Sequence, residues 1–143
     1  VAIGLNDKRN TENNIKNVIP LVIDITNPSP MGGFALQERK SLSQRSQPDV
    51  LVVLALVHHL CITSNIPLWR LVDYFAEYAC NVLIAFVDRG DSQVTKLLEH
   101  TELSYLEYNK QSFEAEFARC FLVQQQFRLG NSEHTLYLFS RKD

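Results

Sequence analysis

The feature that most constrains the fold is an uninterrupted apolar run, DVLVVLAL at residues 49–56, which ends just before His58-His59. A strand with one exposed face alternates apolar and polar residues, whereas a strand covered on both faces is apolar throughout. The run therefore predicts a strand inside a parallel sheet. The two histidines mark the point where the chain leaves that sheet.

Strands and helices are predicted on both sides of this run. Apolar segments bounded by turn residues predict further strands at residues 1–5, 20–24, 81–87, 121–129 and 134–142, the last two joined by a turn at Gly130-Asn131. Helical spacing predicts a weak helix at residues 7–18 and stronger helices from Pro67, after the cap Asp91 and after the cap Ser112. The order predicts an α/β three-layer sandwich with a mostly parallel sheet and a C-terminal antiparallel β-hairpin.

Length and composition limit the classes of function. The 143 residues are enough for one domain, 1–143, in which residues 25–48 form a long loop of the kind that often carries function. A net charge of −2 argues against nucleic acid as the main partner. Cys61, Cys80 and Cys120 lack metal-ligand spacing and indicate reduced core residues, so we expect a cytoplasmic protein.

No segment of the sequence indicates a membrane or a secreted protein. The sequence has no apolar stretch of membrane-spanning length and no signal peptide. It opens on VAIGL without an initiator methionine, and we expect it to continue a longer protein.

The ligand-binding edge of such a sheet lies beyond the carboxyl ends of its strands. Four segments follow predicted strands there, namely residues 4–7, residues from 24 onward, 56–65 and 87–91. The sequence therefore predicts a binding site that brings these segments together.

Several of these segments resemble one group of enzymes. PLVIDITNPSPMGGFALQERKSLSQR, DVLVVLALVHHLCITSNIPL, NVLIAFVDRGDSQVTKLL and the closing FLVQQ and HTLYLFSRK are similar to the C-terminal part of a bacterial, nodulation-protein-like group of class I S-adenosylmethionine-dependent methyltransferases. The resemblance covers essentially the whole chain. It implies a Rossmann-like methyltransferase fold, S-adenosylmethionine as cofactor and a small-molecule methyl acceptor.

The sequence also departs from that family. The family's first strand leads into an acidic, glycine-rich loop that holds the cofactor, and no such motif occurs here. Gly4 stands where the family's second strand usually ends in an acidic residue, and Asp7 lies three residues later. The resemblance therefore implies an N-terminally incomplete fold, in which this chain alone binds the cofactor weakly or not at all.

An absent first strand leaves two strands without a neighbour in the middle of the sheet. The two strands can close up, another chain can supply the pairing, or an N-terminal portion of the full protein supplies it. We favour the last, and expect the chain alone to self-associate through its incomplete sheet.

The resemblance assigns roles to individual residues. Asp24 and Ile25 would contact the adenine of the cofactor, and Leu56 would border the cofactor as well. His58 and His59 are the catalytic candidates, since an imidazole can take a proton from an acceptor hydroxyl or amine. The alternative for either histidine is a hydrogen bond to a backbone carbonyl in the core.

The long loop supplies the substrate candidates, namely Asn27, Glu38, Arg39 and Arg45. An arginine there can hold an anionic group of the substrate by a two-point contact. The alternative is a solvated, charged loop without a role in binding.

Two functions from different classes follow. The first is a methyltransferase, of which this chain is the C-terminal portion. The second is a non-catalytic, methyltransferase-like interaction module, favoured by the missing glycine-rich loop. A hydrolase or other nucleotide-binding enzyme is least favoured, because the sequence has no G-x-S-x-G, Walker or HExxH motif. The sequence also predicts no metal site.

Overall fold

A computed structural model describes residues 2–99, 108–130 and 132–143 of the chain. The chain divides into two compact units, Val1–Leu42 and Ser43–Asp143. The prediction of one methyltransferase-like domain over 1–143 stays a prediction.

The first unit is built from short local structure. Helix α1 spans Ala2–Glu12, and a 3-10 turn spans Phe34–Leu36. Helix α2 spans Leu42–Arg45 and begins at Leu42, the last residue of this unit. A single antiparallel bridge joins Gly32 to Arg39. Residues 25–48 are therefore mostly irregular, as the long loop was predicted to be.

The strands predicted at residues 1–5 and 20–24 are wrong. Residues 1–5 fall largely within α1, and residues 20–24 have no regular structure. A helix satisfies its backbone hydrogen bonds locally, whereas a strand needs a neighbour. Short apolar runs do not distinguish the two. Val22 is 87% exposed, so this segment also lacks the burial that its sequence suggested.

The described residues of the second unit form a four-stranded sheet and three helices of at least two turns. Its strands are β1, Val50–Leu54; β2, Asn81–Val87; β3, Phe121–Arg128; and β4, His134–Arg141. Its helices are α3, Leu68–Tyr78; α4, Ser92–Glu99; and α5, Lys110–Cys120. The predicted hairpin of the last two strands is confirmed, while Asn131 of its turn lies outside the described residues.

The sheet is mixed, with strand order β1-β2-β4-β3. β1 pairs parallel with β2, and β4 pairs antiparallel with both β2 and β3. The prediction of a mostly parallel sheet is therefore wrong, although the α/β class is confirmed. The reason is that residues 1–5 and 20–24, which were to add parallel strands, form none.

One face of the sheet is covered by α3 and α5 through an aromatic cluster. Phe113 of α5 is fully buried, with ring centroids 4.4 Å from both Phe86 and Phe117 and 5.2 Å from Tyr137. Phe117 in turn stacks on Phe139 at 4.7 Å. This cluster ties the two central strands to the helices and forms the core of the unit.

The opposite face of the sheet is open. Val52 and Leu54 of β1 are 54% and 60% exposed, and Phe127 of β3 is 55% exposed. β1 is also an edge strand, since β2 is its one neighbour in the described sheet. The prediction that residues 49–56 form a strand covered on both faces is thus wrong in its burial, although the strand itself is confirmed.

The helix starts follow from local chemistry. Pro67 stands directly before α3, and Asp91 caps α4 through its Oδ1, which accepts the backbone N–H groups of Gln93 and Val94. Ser112 had been predicted to cap α5, and this prediction is wrong. Asn109 caps this helix, and its side-chain oxygen accepts the N–H of Ser112 at 2.9 Å.

Neither a disulfide nor a membrane span occurs in the described residues. Cys61, Cys80 and Cys120 are all free thiols. Among residues 2–99, 108–130 and 132–143, every helix is too short or too polar to cross a bilayer.

The aromatic cluster generates a stability prediction. Phe113→Ala removes the ring on which four other rings pack, and we expect it to lower the free energy of unfolding by about 3–5 kcal/mol. Phe127→Ala is the matched control, because this ring is on the open face, and we expect a loss below about 1.5 kcal/mol. Urea unfolding followed by circular dichroism measures both. Equal losses for the two variants would contradict this description of the core.

Candidate functional site

A cleft of about 380 Å³ lies at the carboxyl ends of β1 and β2. The sequence predicted a site at this edge of the sheet. The cleft is lined by residues that follow the two strands, by the first turns of α4 and by the start of β4, namely Ala55, His58, His59, Val87, Asp91, Gln93, Lys96, Leu97 and His134.

The backbone turns sharply where β1 enters the cleft. Ala55 has a φ of 50°, a left-handed conformation that costs a non-glycine residue about 1–3 kcal/mol and is concentrated at functional sites. A π-helical turn, His59–Thr63, follows at once. Such turns are rare and occur frequently at functional sites. The local strain therefore coincides with the predicted ligand edge.

This turn points the two histidines in different directions. Successive side chains of helical backbone project about 100° apart. His58 is accordingly buried, while His59 is exposed, although their ring centroids are 4.2 Å apart. Both histidines line the cleft, and their catalytic role stays a prediction.

His58 is an unusual buried group. It is 5% exposed, and its Nδ1 atom has no hydrogen-bond partner. Burial, followed by the nearby His59, lowers the pKa of His58 to about 4. The ring is therefore neutral at pH 7. A buried polar atom without a partner is uncommon in native proteins, and it requires an explanation such as a catalytic role or a bound molecule.

His134 enters the cleft because of the sheet topology. It is the first residue of β4 and pairs in register with Val87, the last residue of β2. β4 runs antiparallel to β2, so the start of one strand meets the end of the other. The Nε2 atom of His134 lies 3.2 Å from Oδ2 of Asp91.

Asp91 uses both of its carboxylate oxygens. Oδ1 accepts N–H groups at the start of α4, and Oδ2 meets His134. The N–H of Gln93 in particular lowers the pKa of Asp91, with a further contribution from the hydrogen bond to His134. Asp91 is therefore ionised at neutral pH and holds the imidazole of His134 in one orientation.

The cleft also contains a cation. Lys96 lies on α4 and has no carboxylate within 4 Å in the part of the chain that the structure describes. Asp91, the one carboxylate among the described residues that line the cleft, is already engaged by His134 and α4. The cleft therefore combines imidazoles and an ammonium group with apolar walls from Ala55, Val87 and Leu97.

Asp24, Ile25 and Leu56 are the residues that were predicted to contact a cofactor. Leu56 lies between Ala55 and His58 and is half-buried, whereas Asp24 and Ile25 belong to the first unit. Asp24 is exposed, and its Oδ1 accepts hydrogen bonds from the N–H and the hydroxyl of Thr26. These bonds lower the pKa of Asp24 and make it the cap of a local turn. The cofactor role of these three residues stays a prediction.

The loop residues predicted to bind substrate are all exposed. Asn27, Glu38, Arg39 and Arg45 lie along the irregular segment between α1 and β1. Glu38 and Arg39 turn back over Gly32 and Gly33, which are close enough that a Cβ at Gly33 would collide with the Glu38 side chain. Gly33 also has a φ of 81°, so glycine is required there. The substrate role of the four residues stays a prediction.

Sequence reasoning assigned His134 and Lys96 no role in the site. His134 was assigned only to the alternating pattern of the last strand, and Lys96 received no assignment. The signal for His134 is available in the sequence: a closing antiparallel strand begins at the edge where its parallel neighbour ends. The signal for Lys96 is weaker, because an exposed helical lysine is ordinary.

A second cavity, of about 410 Å³, lies beside the first turns of α3 and α5. Its lining includes Cys61, Tyr108 and Glu116. Burial raises the pKa of Cys61 to about 12, so this thiol is not a nucleophile at neutral pH. Tyr108 donates its hydroxyl to the carbonyl of Val87. These groups support the fold and suggest no reaction.

The described residues contain no group of side chains that could hold a metal ion. No three histidine, cysteine or carboxylate side chains within residues 2–99, 108–130 and 132–143 come together as ligands. The organic groups of the cleft are therefore the ones that bear on its chemistry.

Comparison with known proteins adds one relative to this geometry. The chain is similar to nodulation protein NoeA of Rhizobium meliloti (strain 1021). The two are 34% identical over 128 residues, which make up 90% of this chain and 27% of NoeA. The chain therefore spans about a quarter of the length of NoeA. No family model matches the sequence, and no solved structure is similar to it.

The buried His58 generates a pH prediction. Its pKa is about 4 in the folded chain against an ordinary 6.5, so the unfolded chain binds the proton more tightly. The stability that the folded chain gains from keeping His58 neutral is therefore complete above pH 6.5 and is lost as the pH falls toward 4. When the pH is lowered from about 7.5 to about 5, we expect the free energy of unfolding of the chain to fall by about 1–2 kcal/mol more than that of the His58→Gln variant.

Urea unfolding at the two pH values measures this difference, and the ring signals of His58 in an NMR titration give its pKa directly. Parallel loss of stability in the chain and the variant would show that His58 is not buried as a neutral ring.

Proposed function

We propose that this chain is the C-terminal portion of an S-adenosylmethionine-dependent methyltransferase that acts on a small-molecule acceptor. The observation that carries the proposal is the histidine-lined cleft at the carboxyl ends of two parallel strands. Its strained Ala55 and the partnerless Nδ1 of His58 mark it as a built site. The resemblance of residues 49–68 to the methyltransferase group supports the choice of reaction.

The sheet topology also supports this proposal. In the resembled fold, the first strand lies beside the fourth, and an antiparallel hairpin closes the sheet. β1 of this chain corresponds to that fourth strand. β1 has a free edge in the described sheet, and β3 and β4 form such a hairpin. A strand from elsewhere in a longer protein would pair at that edge and help to cover Val52 and Leu54.

The cofactor side of the site is incomplete in this chain. The sequence has no glycine-rich loop, and Asp24 is committed to its own turn through Thr26. We therefore derive no cofactor contact from these residues. S-adenosylmethionine, when bound, supplies the methyl group; the residues of this chain orient the acceptor and receive its proton.

The two adjacent histidines suit different tasks at the acceptor side. A ring with a pKa near 4 is a weak base, so His58 fits the role of a neutral hydrogen-bonding group that positions a substrate. His59 is exposed on the cleft wall and can meet a substrate and solvent alike. Neither role requires a metal ion.

Calorimetry with S-adenosylmethionine tests the proposal, using the protein as its gene encodes it beside the 143-residue chain. We expect micromolar affinity for the encoded protein and affinity at least about tenfold weaker for the chain, because the contacts to the methionine end are missing. No binding by the encoded protein would refute the methyltransferase proposal. Equal, tight binding by both would refute the assignment of this chain as one portion of the site.

A non-catalytic interaction module is the alternative, and the open sheet face favours it. β1 is an apolar edge strand without a charge, a proline or a bulge, the devices that normally block pairing with another chain. In either case we expect the chain alone to self-associate through this edge.

Light scattering coupled to size-exclusion chromatography tests this self-association. We expect the chain to form dimers or larger species at high concentration and Val52→Lys to return it to a monomer, because a charge on the edge strand opposes pairing. Gln125→Lys places the same charge on β3 at the other end of the sheet and should leave the association intact. A strict monomer, or equal effects of the two variants, would contradict association through β1.

A further inference from the structure

The proposed cleft contains one histidine that is better fixed in position than His58 or His59. His134 is held by Asp91, whose other carboxylate oxygen is fastened to the first turn of α4. An imidazole oriented by a carboxylate is the arrangement in which proteins hold a base against a substrate. No such carboxylate partner is found for His59 among the described residues.

The contact with Asp91 also determines which nitrogen of His134 is available. An ionised carboxylate only accepts hydrogen bonds, so Nε2 must donate to it. In the neutral ring Nδ1 then carries no proton and can accept one. The His134 side chain is about one third exposed and lines the cleft, so a small molecule in the cleft can contact its ring.

Lys96 supplies the second point of contact. It stands five positions after Asp91 on the same helical segment, a rise of roughly 7 Å at about 1.5 Å per residue. It has no carboxylate partner in the described part of the chain, and among the described lining residues the one carboxylate, Asp91, is engaged by His134 and α4. An anionic group on the substrate would meet this ammonium without displacing an ion pair between described residues.

We propose that the Asp91–His134 pair and Lys96 together select an acceptor that carries a hydroxyl at one end and a carboxylate at the other. The hydroxyl would donate to Nδ1 of His134, which would take its proton as the oxygen bonds to the methyl carbon of the donor. The bond from that carbon to the sulfonium sulfur of S-adenosylmethionine would break and leave its electron pair on the sulfur. The carboxylate binds Lys96. The cleft's apolar walls, Ala55, Val87 and Leu97, take the body of the molecule between them. This inference rests on the proposed function and names its substrate class.

The experiment uses three rigid probes in an NMR titration of the isotope-labelled chain. 4-Hydroxybenzoate carries the two groups at opposite ends of one ring, p-cresol lacks the carboxylate, and 4-methoxybenzoate lacks the hydroxyl proton. We expect 4-hydroxybenzoate to shift the signals of His134 and Lys96, and to bind about tenfold more tightly than either of the other two.

Variants separate the two contacts. Lys96→Gln should weaken 4-hydroxybenzoate about tenfold while leaving p-cresol unchanged, and His134→Gln should weaken 4-hydroxybenzoate while leaving 4-methoxybenzoate unchanged. Lys110→Gln is the control, because it removes a lysine from α5, outside the cleft.

Failure of this inference is distinguishable from failure of the proposed function. Absence of binding at up to about 10 mM probe, shifts confined to other residues, or equal effects of Lys96→Gln and Lys110→Gln would overturn the acceptor class. The affinity for S-adenosylmethionine is measured separately and does not depend on these three probes. Binding of 4-hydroxybenzoate by the chain, without binding of S-adenosylmethionine by the encoded protein, would instead retain the proposed site for a hydroxy acid and refute the methyltransferase proposal.

Discussion

The pairing of β2 with β1 on one side and β4 on the other determines most of this structure. The parallel pair, Val50–Leu54 with Asn81–Val87, brings two carboxyl strand ends to one edge. The antiparallel pair then brings the first residue of β4, His134, to the same edge beside Val87. The cleft exists because three chain segments distant in sequence must meet there, two leaving the sheet and one entering it.

The same strands explain why the site is both polar and firmly held. Their helix-facing side chains pack into the aromatic cluster around Phe113, which stabilises the sheet on which the cleft is built. At the edge, where packing ends, the chain places a strained Ala55 and a π-helical turn. Asp91 then links the edge to α4, so that one carboxylate serves both helix and histidine.

Much of the second unit could be predicted from the sequence. The apolar runs at residues 49–56 and 81–87, the hairpin after residue 121, the helix after Pro67 and the cap Asp91 are all found. These predictions depend on local patterns: apolar runs of strand length, helical spacing and capping residues. The histidines at the end of β1 were placed at the ligand edge for the same reason, since a buried strand must end in polar residues where it meets solvent.

The predictions that failed depend on neighbours rather than on local pattern. Residues 1–5 and 20–24 are as apolar as strands, yet no partner strand pairs with them in the described residues. β1 looked covered on both faces, but one of its faces is open. Its sequence is suited to a cover that the described sheet does not supply.

The sequence by itself determined β1 to β4, α3 to α5, the polar end of the apolar run and the cap of α4, because each follows from side-chain pattern and backbone chemistry over a few residues. Only the tertiary structure decided that His134 and Lys96 share a cleft with His58 and His59. That meeting depends on strand order and direction, which place residues far apart in sequence at one edge of the sheet.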